Sequence, residues 1–436
     1  MAADIVIKNG LVLTMDCNYT LYEKADVAIK GPRITEIAPE ITTPAARVID
    51  AAGKLVMPGL INTHTHAAMV MMRGLADDLP LDIWWQKFIF PIEKKLLDPE
   101  FIRTGAALAA IEMIRSGTTS FADMYFFEDV AAEVCRQIGI RGFLGECILD
   151  FPSPDAKKAD DPLRLTESLQ AKWRGDPLIQ LMVCPHAPYS CGEDNLKKAK
   201  ALADKLNIQL QIHVAETAGE VAEFRQKHHL SPVEFLDKLG CLGPNVIAVH
   251  CVHLSHNDIK LLQKHEVKVA HCQESNMKLA AGNAPIVELM DEGVTVGLGT
   301  DGAASNNNLD MFDEMDSVAK YHKAVRSDPS VMEARTVVKM ATTDGAAVLA
   351  RPDLGVLAAG QTADIILIDL NEPHLMPLFN IYSQLVYSAG GADVDTVIIN
   401  GRLIMENRRI LTIDEQEIFG RAKQLAKKIK GEVEHA

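Results

Sequence analysis

The sequence lacks the features that would send it to a membrane, a disulfide scaffold or a nucleic acid. No stretch reaches the roughly 18 apolar residues of a bilayer span, and the start, MAADIVIKNG, has no basic region followed by a long apolar run. These absences predict a cytoplasmic location. None of the eight cysteines belongs to a CxxC pair. Cys147, Cys184 and Cys251 lie in apolar strand-like runs, where reduced thiols pack as small hydrophobes, so no disulfide framework is expected. Positive charge is also scarce: 44 Lys and Arg face 59 Asp and Glu, for a formal net charge of -15. That balance argues against nucleic-acid phosphates or anionic lipid as partners, because both require basic patches. Lys197, Lys198 and Lys200 read as one solvated helix face. Low-complexity tracts are missing too, and 48% hydrophobic with 24% charged residues is an ordinary globular composition.

What is present is a long alternation of strand-like and helical patterns. The chain of 436 residues exceeds the usual single domain, but a barrel of roughly 250 residues plus a smaller domain accommodates it. Near the start, DIVIKNGLVLTMD carries an Asn-Gly pair between two apolar runs, followed by ADVAIKG and RITEIAP. Asn-Gly tolerates positive φ and predicts a tight hairpin. Late in the chain the pattern returns as ADIILIDL and DTVIINGRLIME. Neither segment has enough strands to bury an apolar face alone, so residues 1–57 and 359–436 are expected to meet in one small β-sandwich, the latter with a C-terminal helix. Between them, strand-like runs fall at 60–65, 118–123, 141–147, 179–184, 208–214, 245–250, 267–271 and 294–299, separated by helical patterns such as EDNLKKAKALADKL. Eight βα units over 58–358 imply an α/β fold, a (β/α)8 TIM-like barrel whose chemistry collects at the C-terminal strand ends.

Two insertions stand out. Residues 67–98 hold Met69, Met71, Met72, Trp84, Trp85, Phe88 and Phe90. Core packing accounts for most of these, and a lid over an apolar part of a substrate is the functional alternative, for at least one Trp above all. The segment 151–161, FPSPDAKKADD, is a polar, Pro-containing loop.

The donors of metal chemistry sit at the ends of the strand-like runs: His64 and His66 in LINTHTH, His213 in IQLQIHVAET and Asp301 in VTVGLGTDG. On an extended strand, residues two apart point to the same side, so one cation can take both His64 and His66. Imidazole and carboxylate suit a divalent metal, and a set of few protein ligands leaves a place for water, the expected nucleophile. A lone HxH carries little information; a further His and Asp closing later strands give it weight. Glu216, just past the strand of His213, either moves a proton or caps the next helix. GLGTDG also fits GxGxxG, but it falls at the eighth strand rather than opening a βαβ unit, which argues against a dinucleotide site.

PGLINTHTH, HVAET, VHCVHL and GLGTDG, in this order and framed by the two half-sandwich segments, resemble the amidohydrolase superfamily of metal-dependent hydrolases over nearly the whole chain. THTHAAMVMMRGLADDLPL, the PIE containing Glu93, CPHAPYSC and TDGAASNNNLDMFDEM are similar to its methylthioadenosine/S-adenosylhomocysteine deaminases. Relatives with two metals carry a bridging Lys on the fourth strand, whereas LIQLMVCPHAP has none. The resemblance therefore implies one metal on His64, His66, His213 and Asp301, with zinc the first choice and ferrous iron the second.

It also implies roles. Glu216 protonates the ring nitrogen, His250 and Asp301 move the proton of the attacking water, and Glu93 and His186 contact the nucleoside. Arg164, in DPLRLTESL, is assigned to a substrate carboxylate. Read in isolation, His250 in VIAVHC is a packed core histidine, Glu93 a helix-start residue beside Lys94 and Lys95, and His186 part of a Pro-flanked turn. After His271, ESNMKL either shapes the purine pocket or packs as core. The remaining histidines, among them His228, His253 and His435, take a structural or solvent reading.

The expected partner is a small adenine nucleoside, with no nucleic acid or membrane, and a homo-oligomer is compatible with this. Rivals are hydrolysis of another heterocycle (a triazine, guanine or a pterin) and a non-catalytic binding protein on the same fold. The PCxxC signature of the small cytidine-deaminase fold is absent.

Overall fold

The computed structural model describes residues 2–79, 81–158 and 160–433, so His435 lies outside the described residues. The start of the chain supplies β1 (Ala3–Leu13), β2 (Leu21–Lys30), β3 (Arg33–Ala38), β4 (Ala45–Asp50) and β5 (Lys54–Pro58). After Gly59 the chain passes straight into β6 (Leu60–Thr65), β7 (Thr118–Tyr125), β8 (Arg141–Ile148), β9 (Ile179–Leu181) and β10 (Cys184–Pro185). These five form a parallel sheet, and β11 (Leu210–Val214), β12 (Val246–His250), β13 (Lys268–His271) and β14 (Val296–Leu298) form a second. Residues of β6, β7 and β8 are buried throughout, as expected of parallel strands covered on both faces.

All eight strand-like runs are strands. The fourth is split into β9 and β10 because the chain changes partner there: both pieces pair with β8, while Val183 bridges to Leu210 of the second sheet. At the other side β6 lies against β14. The Thr63 hydroxyl donates to the Leu298 carbonyl at 2.8 Å, and the Asp301 amide donates to the His64 carbonyl at 3.0 Å. A Cβ on Gly299 would lie 2.8 Å from the His64 nitrogen, so the second glycine of GLGTDG serves close strand approach.

From the end of the chain, β15 (Ile365–Asp369), β16 (Val394–Ile399), β17 (Arg402–Glu406) and β18 (Arg409–Ile410) complete a nine-stranded mixed sheet with β1 to β5, joined where β15 pairs antiparallel with β5. The two distant segments therefore do meet. Of the two Asn-Gly pairs, Asn400-Gly401 makes the expected turn between β16 and β17, with φ of 52° and 73°. Asn9-Gly10 does not: β1 runs through it, and the positive φ of Asn9 goes into a bulge with register shifts on either side of Gly10. Asp26 rewards that kink, its carboxylate accepting from the Asn9 amide at 2.9 Å.

The terminal sheet is fastened to the parallel strands at their N-terminal ends. Buried Arg141, first residue of β8, donates twice to the Asp364 carboxylate, each bond 3.1 Å long. The C-terminal helix Glu415–Val433 instead packs on the helix Pro99–Arg115, with Arg115 paired to Glu415. In the insertion after β6, Met69, Met71, Met72 and Trp84 are buried in the main core, which supports packing for these four. Trp85, Phe88 and Phe90 are half-buried, and Phe90 meets Trp85 at 5.2 Å and Phe151 at 6.0 Å between ring centres. Among the described residues no helix is long and apolar enough to cross a membrane.

Candidate active site

The C-terminal ends of the parallel strands carry the cluster. His64 sits on β6 and His66 just beyond it, His213 on β11, His250 at the last position of β12, and Asp301 three residues after β14. Two overlapping triads share His64: His64, His66 and Asp301, and His64, His213 and His250, each with donor atoms within 4.8 Å of one another. His64 Nε2 lies 3.1 Å from His213 Nε2 and 3.5 Å from Asp301 Oδ1, and His66 Nε2 lies 3.3 Å from the same oxygen.

The partners of the other ring nitrogens decide which atoms face the centre. His66 Nδ1 is 2.6 Å from the Met124 carbonyl and His213 Nδ1 is 2.7 Å from the His186 carbonyl. A carbonyl only accepts, so both Nδ1 atoms carry the proton and both Nε2 atoms present a lone pair. His64 Nδ1 meets Gln211 Oε1 at 2.8 Å, and the Gln211 amide nitrogen donates to the Thr63 carbonyl at 2.9 Å. That second bond fixes the amide, so His64 too donates through Nδ1. Asp301 Oδ2 accepts from the hydroxyls of Ser275 at 2.6 Å and Ser305 at 2.9 Å, which turns Oδ1 towards His64 and His66. Three lone pairs and one carboxylate oxygen thus converge, with every opposite atom held by an oxygen or a hydroxyl. Such outer partners orient metal-binding imidazoles. Burial, with the nearby His64 ring, pushes His66 down to about 4, which keeps it the neutral imidazole a cation needs.

Around this centre stand the other predicted residues. The Glu216 carboxylate faces His250 Nε2 at 3.8 Å, and burial together with the negative charge of Asp301 pushes its carboxyl up to about 8. Glu216 does not cap the following helix. Thr217 does so by accepting from the Glu220 amide, while the Glu220 carboxylate takes the amides of Ala215 and Glu216 at 3.0 and 2.8 Å. The His250 ring stacks on His213 at 5.3 Å, and its backbone, like that of Cys251, is in the left-handed region (φ 68° and 51°). Strain of this kind costs about 1–3 kcal/mol per residue and clusters at working sites.

His186 lies beside His213 with ring centres 4.9 Å apart, and its Nδ1 meets the Ser190 hydroxyl at 2.7 Å. Glu93 is buried and accepts from the Tyr125 hydroxyl at 2.7 Å. The Tyr125 ring is 6.1 Å from that of His66, which ties Glu93 to the cluster through one side chain. Burial, opposed by the Tyr125 bond, pushes Glu93 up to about 7. Arg164 is not drawn in. It is exposed on the helix Asp161–Trp173, and its nearest carboxylate is Asp161 at 4.0 Å, one turn back on the same helix edge.

Sequence reasoning missed Gln211, Ser305 and Tyr125, and reached Ser275 and Asn276 only as part of ESNMKL, without a role for either. Only Gln211 had a readable signal, since it precedes His213 by two on a strand and so shares its side. His271 is a core residue, its Nε2 3.0 Å from Gln273 Oε1.

The family model described as the amidohydrolase family matches residues 55–404. The chain belongs to the amidohydrolase family. This amidohydrolase is 46% identical over 433 residues to a 5-methylthioadenosine/S-adenosylhomocysteine deaminase of Syntrophobacter fumaroxidans, covering 98% of this chain and 99% of that one. It is 44% identical over 433 residues to a 5'-deoxyadenosine deaminase of Methanosarcina mazei, covering 99% of both. Among solved structures, an adenosine deaminase from Xanthomonas campestris with bound zinc superposes with a TM-score of 0.97 at 37% identity, covering 99% of each chain. An atrazine chlorohydrolase from Arthrobacter aurescens, with a TM-score of 0.92 at 24% identity over 97% of this chain and all of that one, shares the fold.

Proposed function

We propose that this amidohydrolase removes the exocyclic amine of the adenine ring in 5'-methylthioadenosine, S-adenosylhomocysteine or a related 5'-substituted adenosine, releasing ammonia and the inosine analogue. The observation that carries this reading is the convergence of the His64, His66 and His213 Nε2 lone pairs with Asp301 Oδ1. This set fits one divalent cation, zinc before ferrous iron. The relatives' names and the zinc-bound adenosine deaminase support the substrate class and the metal. The fold follows the same reading: the two parallel sheets, bridged at Val183–Leu210 and in contact at β6 and β14, close into one (β/α)8 barrel over 58–358. The nine-stranded sheet shared by the two terminal segments supports a small β-sandwich domain, with the C-terminal helix lying on the helix Pro99–Arg115.

A bound divalent cation supplies Lewis acidity, which makes water a competent nucleophile near neutral pH. Glu216, protonated at neutral pH in its buried setting, delivers a proton to the ring nitrogen beside the amine-bearing carbon, so negative charge does not accumulate on the purine. Asp301 Oδ1 and His250 Nε2 take one proton of the attacking water and pass it to the departing amine, and the new hydroxyl returns its remaining proton to Glu216 as the carbonyl forms and ammonia leaves. Glu93 accepts hydrogen bonds from the ribose hydroxyls, and His186 contacts the nucleoside near its ring or sugar. Arg164 has no share in this reading.

Metal analysis combined with ammonia release and the shift in purine absorbance on methylthioadenosine, S-adenosylhomocysteine, 5'-deoxyadenosine and adenosine tests it. Protein holding one metal per chain yet inert towards all four would overturn it in favour of another heterocycle or a binding role. Glu93→Ala separates nucleosides from free rings: it should damage nucleoside turnover far more than hydrolysis of any ribose-free heterocycle, and equal losses would remove Glu93 from sugar recognition.

A further inference from the structure

The helix Gln273–Lys278 follows β13, and two consecutive side chains on it reach the two groups assigned to proton transfer. Ser275 donates its hydroxyl to Asp301 Oδ2 at 2.6 Å. Asn276 places its Oδ1 3.0 Å from His250 Nδ1. Both side chains are fully buried. The turn that presents them is braced from outside: the buried Glu314 carboxylate accepts from the Gln273 and Glu274 amides, and the Glu274 side chain accepts from Asn308 and Ser317 at 2.9 and 2.8 Å.

Asn276 offers His250 two opposite arrangements. With Oδ1 towards the ring, His250 carries its proton on Nδ1 and turns a lone pair on Nε2 towards Glu216. With the amide rotated, an N–H would face Nδ1 and the proton would have to sit on Nε2. Only the first leaves His250 able to accept a proton on the side of the chemistry. This arrangement leaves the buried Asn276 amide nitrogen without a hydrogen-bond partner among the described residues, a cost borne to keep the oxygen on His250. The oxygen further stabilises the imidazolium that forms once Nε2 takes a proton, because a carbonyl dipole accepts a stronger bond from a charged donor.

We propose that Asn276 is a positioning residue that locks His250 with its proton on Nδ1 and its Nε2 lone pair towards Glu216, while Ser275, its neighbour on the same turn, aims Asp301. The proposal rests on the role given to His250 above. Two variants separate its failure from that of the role. If His250→Gln turns over as fast as the native chain, the role of His250 falls. If His250→Gln is crippled while the Asn276 variants are not, only the present inference falls.

The direct test is nitrogen NMR of the zinc-loaded protein labelled with 15N-histidine, the His250 signals being identified by their loss in His250→Gln. A protonated Nδ1 and unprotonated Nε2 are expected in the native chain, and the reverse tautomer would overturn the proposal without any variant. Asn276→Leu, which keeps the size but removes the acceptor, should lower kcat by about 10- to 100-fold, the range for loss of an orienting partner. KM and metal content should stay unchanged. Asn276→Asp, which keeps an acceptor oxygen, should recover most of the loss. Unchanged kcat in Asn276→Leu, or a loss matched by loss of bound zinc, would overturn the positioning role.

Discussion

At the cluster end of the site, His66 and His213 give their Nδ1 protons to the main-chain carbonyls of Met124 and His186. At the end proposed to take the nucleoside, Glu93 is held by one phenol, that of Tyr125, and His186 by one serine hydroxyl. A backbone carbonyl stays in place whatever side chain its residue carries, whereas a phenol or hydroxyl disappears in one substitution. The contrast teaches that the orientation of His66 and His213 is built into the main chain, while that of His64 and Asp301, like that of the proposed substrate contacts, hangs on exchangeable side chains. An amidohydrolase built this way can keep its chemistry while its preferred ring or sugar changes.

The comparison can be broken most severely by removing the cation. Exhaustive chelation should abolish ammonia release and added zinc should restore it; turnover that survives chelation would leave the converging donors without a purpose. Next in size is Glu216→Gln, which keeps the shape and removes the acid: kcat should fall by about 10²- to 10⁴-fold, with bound metal unchanged. Gln211→Leu sharpens the contrast within the cluster, because of the three histidines proposed to hold the cation His64 alone relies on a side chain for its tautomer. Zinc affinity should fall by about 10- to 100-fold, measured by competition with a chromophoric chelator, and an unaltered affinity would show that the strand alone orients His64.

At the nucleoside end the effects should be smaller and confined to KM. Tyr125→Phe should raise KM for methylthioadenosine by about 10-fold or more, since it removes one bond to a carboxylate worth roughly 1.5–3 kcal/mol. A collapse of kcat instead would place Tyr125 with the cluster. Glu93 supplies the pH test. Its carboxyl is raised to about 7, so it is ionised and accepts from hydroxyls above that pH and gains a proton below it. KM should therefore rise as pH falls through about 7 and level off above it, and Glu93→Gln should flatten the profile.

Much of the fold was legible because the parallel strands are short apolar runs bounded by turns, and each of the eight runs became a strand. Asn9-Gly10 misled because positive φ serves a bulge as well as a hairpin, and only pairing with β2 tells them apart. The four donors were legible from HxH and from polar residues ending apolar runs. Arg164 was not placeable, since a long side chain on a helix carries no mark of which way it points. Gln211, Ser275, Asn276 and Tyr125 are common residue types whose importance comes from what lies across the C-terminal strand ends.

By itself, then, the sequence settled which segments are strands, which residues can donate to a cation, and that the fourth strand has no lysine to bridge a second one. These are local properties of alternation, residue type and strand parity. The protonated nitrogen on each histidine, the carboxylate oxygen that faces the centre, and the turn that braces His250 and Asp301 were decided by tertiary structure alone. Each is set by a hydrogen bond between residues remote in the chain, as between His64 and Gln211 or Asn276 and His250, and contacts of that kind exist only once the strands have come together.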